Sequence, residues 1–200
     1  MTGKTTKTEF DGSYGKLAAA MEMPAGAPKA YALFAHCFSC SKDIKAAREV
    51  ARSLRAEGFA VLRFDFTGLG SSDGDFANTN FSSNVDDLLK AADYLRQNFD
   101  APSIIVGHSL GGAAAIAAAK SIPEIEGVVT INAPAEAGHV VKQLGEKRNQ
   151  IEQDGEAEVC LAGRPFRIKK QFLDDLENQT VLDSAKTLKK PLLVLSLIHI

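Results

Sequence analysis

Residues 103–119 read SIIVGHSLGGAAAIAAA, and this stretch decides the fold. An apolar run at residues 103–106 predicts a buried strand. A turn of small residues follows, and the alanine-rich run after it predicts a helix. The turn contains Gly107-His108-Ser109-Leu110-Gly111, a G-x-S-x-G pattern. A strand, this turn and a helix in that order form the context that a nucleophile elbow requires.

The elbow pattern assigns a role to several of its residues. Ser109 is the predicted nucleophile, because the sharp turn holds its side chain at the end of the strand in strained backbone geometry. Gly107 and Gly111 are the predicted elbow glycines, since the strand and the helix pass too close for a bulky side chain. The reading as a phosphate-binding loop is excluded, because Ala113 stands where that motif needs lysine.

Away from the elbow, the chain alternates short apolar runs with amphipathic segments. This order predicts an α/β fold with a mostly parallel, doubly wound sheet, and residues 7–23 add an antiparallel hairpin at its start. Ser41 is the expected cap of the first helix, and Ser83 with Asp86 the expected capping box of the second. Further strands are predicted at residues 31–35, 60–66, 103–107, 127–132 and 191–195, and helices at residues 41–57, 83–97 and 110–121.

Residues 135–188 interrupt this alternation. They are more polar, they carry helical patterns, and they show no clear strand. Because the segment is too long for a simple connection, we expect a helical cap inserted over the end of the sheet. The basic run at residues 164–170 is expected to be the solvated face of a cap helix.

An attacking serine needs donors for the oxyanion that forms on the substrate. The backbone N–H of Leu110, directly after the nucleophile, is one expected donor of this oxyanion hole. The second is expected from the loop after the strand at residues 31–35, where we assign it to the N–H of Phe38. His36 in the same loop is expected to be structural rather than a base.

A glycine-rich turn follows the strand at residues 60–66 and reads RFDFTGLGSSD at residues 63–73. It fits a dinucleotide-binding fingerprint poorly, because Asp73 holds the last glycine position and no helix follows at once. We expect Asp65 and Gly70 to fix a turn at the rim of the site.

The three cysteines, an odd number without a secretory signal, favour reduced thiols in the cytoplasm over a disulfide framework. Cys37 and Cys40 form a C-x-x-C, so a thiol redox protein stays open as an alternative. A metal site lacks further ligands at suitable spacing, because Cys160 is isolated, and we expect no metal and no cofactor.

Charge and hydropathy limit the classes of partner that we expect. The net charge of −2 gives no indication of a nucleic-acid partner or an anionic membrane surface. The longest apolar stretch, residues 101–119, is interrupted by the elbow turn, so a membrane span is not expected. A small-molecule acyl substrate is the expected partner.

Three quoted stretches resemble a known family: ALFAHCFSCSKD, RFDFTGLGSSDGDFANTNFSSN and VGHSLGG. They are similar to bacterial α/β hydrolases of the serine aminopeptidase-like group, in particular to the hydrolase half of hydrolase–OsmC fusion proteins. The resemblance covers about residues 10–195. It implies an eight-stranded sheet with an acid after the seventh strand and a histidine after the eighth. It also implies a possible fused OsmC-like domain in the full-length parent.

On this resemblance Leu195 lies in the seventh strand, so we expect a C-terminally truncated domain that lacks the last strand and helix and the catalytic acid and base. Residues 195–200 match the translation of a common transposase sequencing adapter, and we hypothesise an assembly artefact in which His199 has no function. His139 and Glu136 are weak internal candidates for the base and the acid.

The predicted function is a serine hydrolase that cleaves an acyl bond, expected to be a carboxylester, through an acyl-enzyme. The piece in hand is expected to be nearly inactive, because a triad without its base keeps little activity. A non-catalytic binding protein on the same fold is the main alternative.

Overall fold

The computed structural model describes residues 3–196. In this range the strands are β1 Lys4–Gly12, β2 Gly15–Met23, β3 Ala30–Ala35, β4 Phe59–Phe64, β5 Pro102–His108, β6 Gly127–Ile131, β7 Glu156–Leu161, β8 Arg164–Lys169 and β9 Leu192–Leu195. The helices are α1 Lys45–Ala56, α2 Phe81–Asn98, α3 Leu110–Ala118, α4 Lys147–Asp154, α5 Lys170–Glu177 and α6 Val181–Lys186, with 3₁₀ helices at Phe76–Asn78 and Ala137–Leu144.

Seven of the strands form one sheet in the order β1-β2-β4-β3-β5-β6-β9. β1 and β2 form the predicted hairpin, in which Lys4 pairs with Met23 and Gly12 with Gly15. β2 is also antiparallel to β4, and the remaining neighbours run parallel. The predicted α/β fold, a mostly parallel sheet with an antiparallel beginning, is therefore confirmed.

Helices cover both faces of the sheet, and β3 shows how the sequence arranges this. Successive side chains of a strand point to opposite faces. Ala32 and Phe34 pack on the face covered by α1, whereas Leu33 and Ala35 belong to the larger core that includes residues of α2 and α3. All four side chains are buried, which is typical of a parallel strand covered on both sides.

The carboxyl ends of β3, β5 and β6 meet at one edge of the sheet, because these strands are parallel neighbours. The loop after β3 begins at His36, the turn after β5 is Ser109, and Asn132 follows β6. Ligands of open α/β sheets bind at this edge.

Two predicted helix starts are wrong. α1 begins at Lys45 and no side chain caps it, so Ser41 is not its cap. Lys42 explains the late start of α1. Its N–H and its ammonium both donate to the Asp65 carboxylate, at 2.6 and 2.8 Å, and residues 42 and 43 form a turn before the helix. The predicted capping box of α2, Ser83 with Asp86, lies one turn too late. The structure has Asn80 as the cap, and Ser83 completes the capping box.

The cap at residues 135–188 is not purely helical, which corrects the sequence reading. β7 and β8 form an antiparallel hairpin with Glu156 opposite Lys169 and Leu161 opposite Arg164. Ala162 and Gly163 both have positive φ, as two-residue hairpin turns require. The basic run at residues 164–170 therefore lies on a strand and the first residue of α5, not along a helix face.

The edge strand β9 pairs in parallel with β6, and its four side chains are more than one third exposed. Of the tail at residues 195–200, only Leu195 and Ser196 are described. The adapter hypothesis and His199 thus lie outside the described residues and stay untested. No helix between residues 3 and 196 combines the length and the apolar character that a bilayer span needs.

A buried carboxylate joins α2 to the glycine-rich turn. Asp87 is fully buried and accepts hydrogen bonds from the N–H and the hydroxyl of Thr67, at 2.9 and 3.0 Å. Burial raises the pKa of the Asp87 carboxyl to about 6, although both bonds from Thr67 act in the opposite direction. Burial of the charged form therefore has the larger effect.

We expect the free energy of unfolding of wild type, relative to Asp87→Asn, to depend on pH. The folded-state pKa near 6 lies above the unfolded value near 3.9, so wild type gains stability as pH falls through this window and loses it as pH rises. The full change is roughly 3 kcal/mol, from about 1.4 kcal/mol per pKa unit.

Urea unfolding of both proteins below and above this window measures the change. Other titrating groups are common to the two proteins, and their contributions cancel in the difference. A stability difference that stays constant across the window would show that Asp87 has an ordinary pKa.

Candidate active site

The turn after β5 has the geometry of an elbow. Ser109 has φ +53° and ψ −125°, a conformation that a residue with a side chain adopts only under strain. Its N–H donates to the Ile131 carbonyl of β6 at 2.9 Å, and its own carbonyl accepts the Gly112 N–H at 2.9 Å. The backbone of Ser109 is thus tied to the neighbouring strand and to α3, while its half-buried side chain stands at the sheet edge.

Each of the two elbow glycines lies against a different backbone segment that leaves no room for a side chain. A Cβ on Gly107 would lie 2.4 Å from the carbonyl oxygen of Gly111, so that position cannot hold a side chain against α3. A Cβ on Gly111 would lie 2.2 Å from the carbonyl oxygen of His36 and 2.6 Å from that of Ala35. Gly111 therefore allows the start of α3 to touch the end of β3.

This contact brings together the two segments from which donors are predicted. Leu110 is the first residue of α3, and the N–H groups of a first helical turn have no partner within the helix. Phe38 follows β3 in the loop whose first carbonyl touches Gly111. The oxyanion roles of Leu110 and Phe38, like the nucleophile role of Ser109, stay predictions.

His36 is held as a structural residue. It is completely buried, its Nδ1–H donates to the Cys37 carbonyl at 2.8 Å, and its Nε2 accepts the Phe66 N–H at 3.2 Å. Burial lowers the pKa of its imidazole to about 4. Both nitrogens are occupied and the ring stays neutral, so His36 cannot accept the proton of Ser109.

Asp65 fixes the glycine-rich turn, as predicted, and its place at the rim of the site stays a prediction. Its buried carboxylate accepts the N–H and the ammonium of Lys42 on one side and the Ser71 N–H, at 2.9 Å, on the other. Gly70 has φ +57°, and a Cβ there would lie 2.1 Å from the carboxylate. One carboxylate therefore joins the loop after β3 to the turn after β4.

A cavity of about 350 Å³ opens beside Ser109. His139 lies in its wall, and Glu136 lines a different cavity. No hydrogen bond within residues 3–196 joins His139 to Ser109, so the base role of His139 stays a prediction. The residues that line the cavity are Ser109, Leu110, Asn132, Ala133, Pro134, Ala135, His139, Val140 and Ser196.

Asn132 is a wall residue that the sequence analysis missed. It has φ +49°, and its N–H donates to the Leu195 carbonyl at 2.7 Å. Asparagine tolerates this left-handed conformation better than most residues, so an asparagine directly after a strand was the available signal. The strained turn of Asn132 lies beside the strained turn of Ser109 in the same wall.

The cysteines do not behave as three separate thiols. Cys37 and Cys40 are joined as a disulfide across the loop after β3, with Cα atoms 5.3 Å apart. Cys160 is exposed on β7 and unpaired among the described residues. The turn of the loop thus brings the two sulfurs together, and the expectation that these thiols are reduced in the cytoplasm stays a prediction.

The cap packs directly on this loop. The Phe38 ring stacks on Phe172 of α5 with centroids 5.0 Å apart, and Phe76 lies 5.3 Å from Phe38 and 4.8 Å from Phe166 of β8. The Arg164 guanidinium donates to the Ser39 carbonyl and lies over the Phe166 ring. The cap thus holds the side chain and the backbone of the loop.

A comparison with known protein families gives one match, and a solved structure is similar over most of the chain. Residues 26–150 match the family described as Serine aminopeptidase, S33. Among solved structures, the esterase domain of a Rhodothermus marinus protein is 43% identical and superposes with a TM-score of 0.73, covering 96% of this chain and 75% of that one.

Two curated relatives are named as a thioesterase and a lipase. The mouse mitochondrial palmitoyl-protein thioesterase ABHD10 is 32% identical over 70% of this chain and 47% of its own length. Mouse monoglyceride lipase is 30% identical over 62% of this chain and 43% of its own length. The chain therefore spans about half the length of the curated relatives it matches.

We expect Gly111→Ala to destabilise the protein strongly. The added methyl group would meet two backbone carbonyls of the Ala35–His36 segment, which cannot move without shifting β3. Such overpacking costs about 1–3 kcal/mol, which chemical denaturation measures as a lowered midpoint.

Gly138→Ala is the matched control, because a Cβ there meets no described atom within 4 Å. Its free energy of unfolding should stay within about 0.5 kcal/mol of wild type. Equal effects of the two substitutions would contradict the close contact between Gly111 and His36.

Proposed function

The chain belongs to the serine aminopeptidase (S33) family of α/β hydrolases, and from this membership we propose that the protein is a serine hydrolase that cleaves an acyl bond, preferentially a carboxylester, through an acyl-enzyme. The observation that carries the proposal is Ser109 in a strained elbow, at the N-terminus of α3 and in the wall of a cavity. A strained turn at such a position is typical of a functional site.

In the proposed reaction, Ser109 Oγ attacks the carbonyl carbon of the substrate. The N–H groups of Leu110 and Phe38 hold the oxyanion, and the dipole of α3 adds favourable potential. The oxyanion collapses, the base returns the proton of Ser109 to the leaving oxygen so that the alcohol departs, and water then hydrolyses the acyl-enzyme.

Ser109 needs a base that takes its proton, and the described residues offer none in place. The neutral, fully bonded His36 is excluded, and His139 is not hydrogen-bonded to Ser109 within residues 3–196. On the family pattern we assign this work to a histidine and an acid beyond Leu195, where the histidine activates Ser109 and the acid orients it.

The substrate class follows from the cavity and the relatives. A volume of about 350 Å³ lies at the small end of ligand pockets, and its lining combines apolar residues such as Pro134 and Val140 with the polar residues Asn132 and His139. A cavity of this volume suits a short acyl chain. The relatives are named as an esterase, a thioesterase and a lipase, which supports an acyl substrate with an oxygen or sulfur leaving group.

The test is Ser109→Ala in the full-length protein, with short-chain p-nitrophenyl esters and the matching thioesters as substrates. We expect kcat to fall by about 10⁶, as for other nucleophile deletions, while the unfolding transition stays unchanged. The ratio of ester to thioester turnover in wild type identifies the preferred leaving group.

Ser121→Ala, at an exposed serine after α3, is the control and should keep full activity. If the Ser109 variant retains turnover, Ser109 is not the nucleophile. If wild-type protein binds the esters without hydrolysing them, the protein is a non-catalytic binding protein on this fold.

A further inference from the structure

The loop after β3 contains a cysteine pair that hydrolysis does not use. Cys37 and Cys40 are joined across two residues, and their Cα separation of 5.3 Å falls in the range that disulfides require. Both residues are half-buried, so small molecules can reach this end of the loop. The third cysteine, Cys160, is exposed on β7 in the cap.

The disulfide closes a ring around the backbone of Phe38 and Ser39. Within this ring the Cys40 N–H donates to the Cys37 carbonyl at 3.1 Å, and the same carbonyl accepts His36 Nδ1–H at 2.8 Å. These hydrogen bonds form a tight turn that holds the two cysteines on one side. The turn therefore favours a bond between the sulfurs.

We propose that Cys37 and Cys40 form a reversible dithiol–disulfide site that takes a low-molecular-weight disulfide of the glutathione type as oxidant and stiffens the loop that carries Phe38. This site is separate from Ser109 and its cavity. Only its effect on hydrolysis rests on the proposed function, because Phe38 is there the oxyanion donor.

The chemistry is two successive exchanges. The thiolate of one cysteine attacks the oxidant, forms a mixed disulfide with one half and releases the other half as a thiolate. The thiolate of the second cysteine then attacks the protein sulfur of this mixed disulfide and releases the second half. The two protein thiols lose two protons and two electrons in total, and one oxidant molecule becomes two thiols.

Proximity distinguishes this pair from Cys160. The second exchange is intramolecular and proceeds at a high effective concentration, because the turn already holds the two cysteines together. At Cys160 the reaction stops at the mixed disulfide, since that residue is unpaired among those described. The same chain thus provides its own internal control.

Mass spectrometry of the intact protein and of its peptides, after equilibration in glutathione buffers from reducing to oxidising, tests the site. We expect three alkylated cysteines in the reduced protein. In the oxidised protein we expect a loss of two hydrogens at the Cys37–Cys40 peptide and a glutathione adduct at Cys160 alone. The site is rejected if Cys37 and Cys40 carry glutathione adducts, or react like Cys160, across the series.

Separate substitutions of the two paired cysteines allow the test to be decided even if one variant does not fold. Cys37→Ser and Cys40→Ser should each turn the remaining partner into a glutathione acceptor like Cys160, whereas Cys160→Ser should leave the pair unchanged. Since either variant of the pair tests the same bond, misfolding of one leaves the other to decide. If Cys40 forms a disulfide with Cys160 in the Cys37→Ser variant, the assignment of Cys37 and Cys40 as a separate pair is overturned.

Amide hydrogen exchange of the loop peptide tests the stiffening without any need for activity. We expect exchange about ten-fold slower in the oxidised protein, because local opening of the closed ring costs more free energy. If the loop peptide exchanges at the same rate in the oxidised and the reduced protein, the disulfide does not stiffen the loop. If exchange differs and no ester is hydrolysed in either state, the proposed hydrolase function fails while the thiol site stands.

Discussion

The contact between Gly111 and the end of β3 is the constraint on which the site depends. Without a Cβ, Gly111 lets the start of α3 rest against the carbonyls of Ala35 and His36. The same helix start holds Ser109 in its strained turn, and the same strand end leads into the loop of Phe38. A side chain at this contact would separate the predicted nucleophile from one predicted oxyanion donor, so backbone packing sets the geometry of the site before any side chain acts.

Buried polar groups hold the other side of this loop. Asp65 ties Lys42 to the turn at Ser71, and His36 bridges the Cys37 carbonyl to the Phe66 N–H. Buried polar groups are costly unless they are bonded, and these bonds satisfy groups from the ends of both β3 and β4. The loop is therefore fixed to the sheet by specific bonds, which an oxyanion hole needs because its donors must be oriented before the charge develops.

The sequence predicts the sheet and the elbow well because their signals are local. Apolar runs such as residues 31–35 are buried on both faces, and the spacing of Gly107, Ser109 and Gly111 reflects steric demands of one turn. The cap hairpin was missed, although residues 156–161 alternate, because six residues carry a weak signal beside helical patterns. The late start of α1 depends on a tertiary contact, that of Asp65 with Lys42, which spacing along the chain does not reveal.

The cap packs tightly on the loop after β3. Phe38 is packed between the aromatic rings of the cap and of the 3₁₀ helix at Phe76–Asn78, and Arg164 holds the Ser39 carbonyl from β8. Because packed interiors transmit displacement rather than absorb it, a shift of the cap would reach the loop after β3 through the ring of Phe38. The disulfide between Cys37 and Cys40 encloses this same short segment, so the cap and the cysteine pair both constrain the backbone of Phe38 and Ser39.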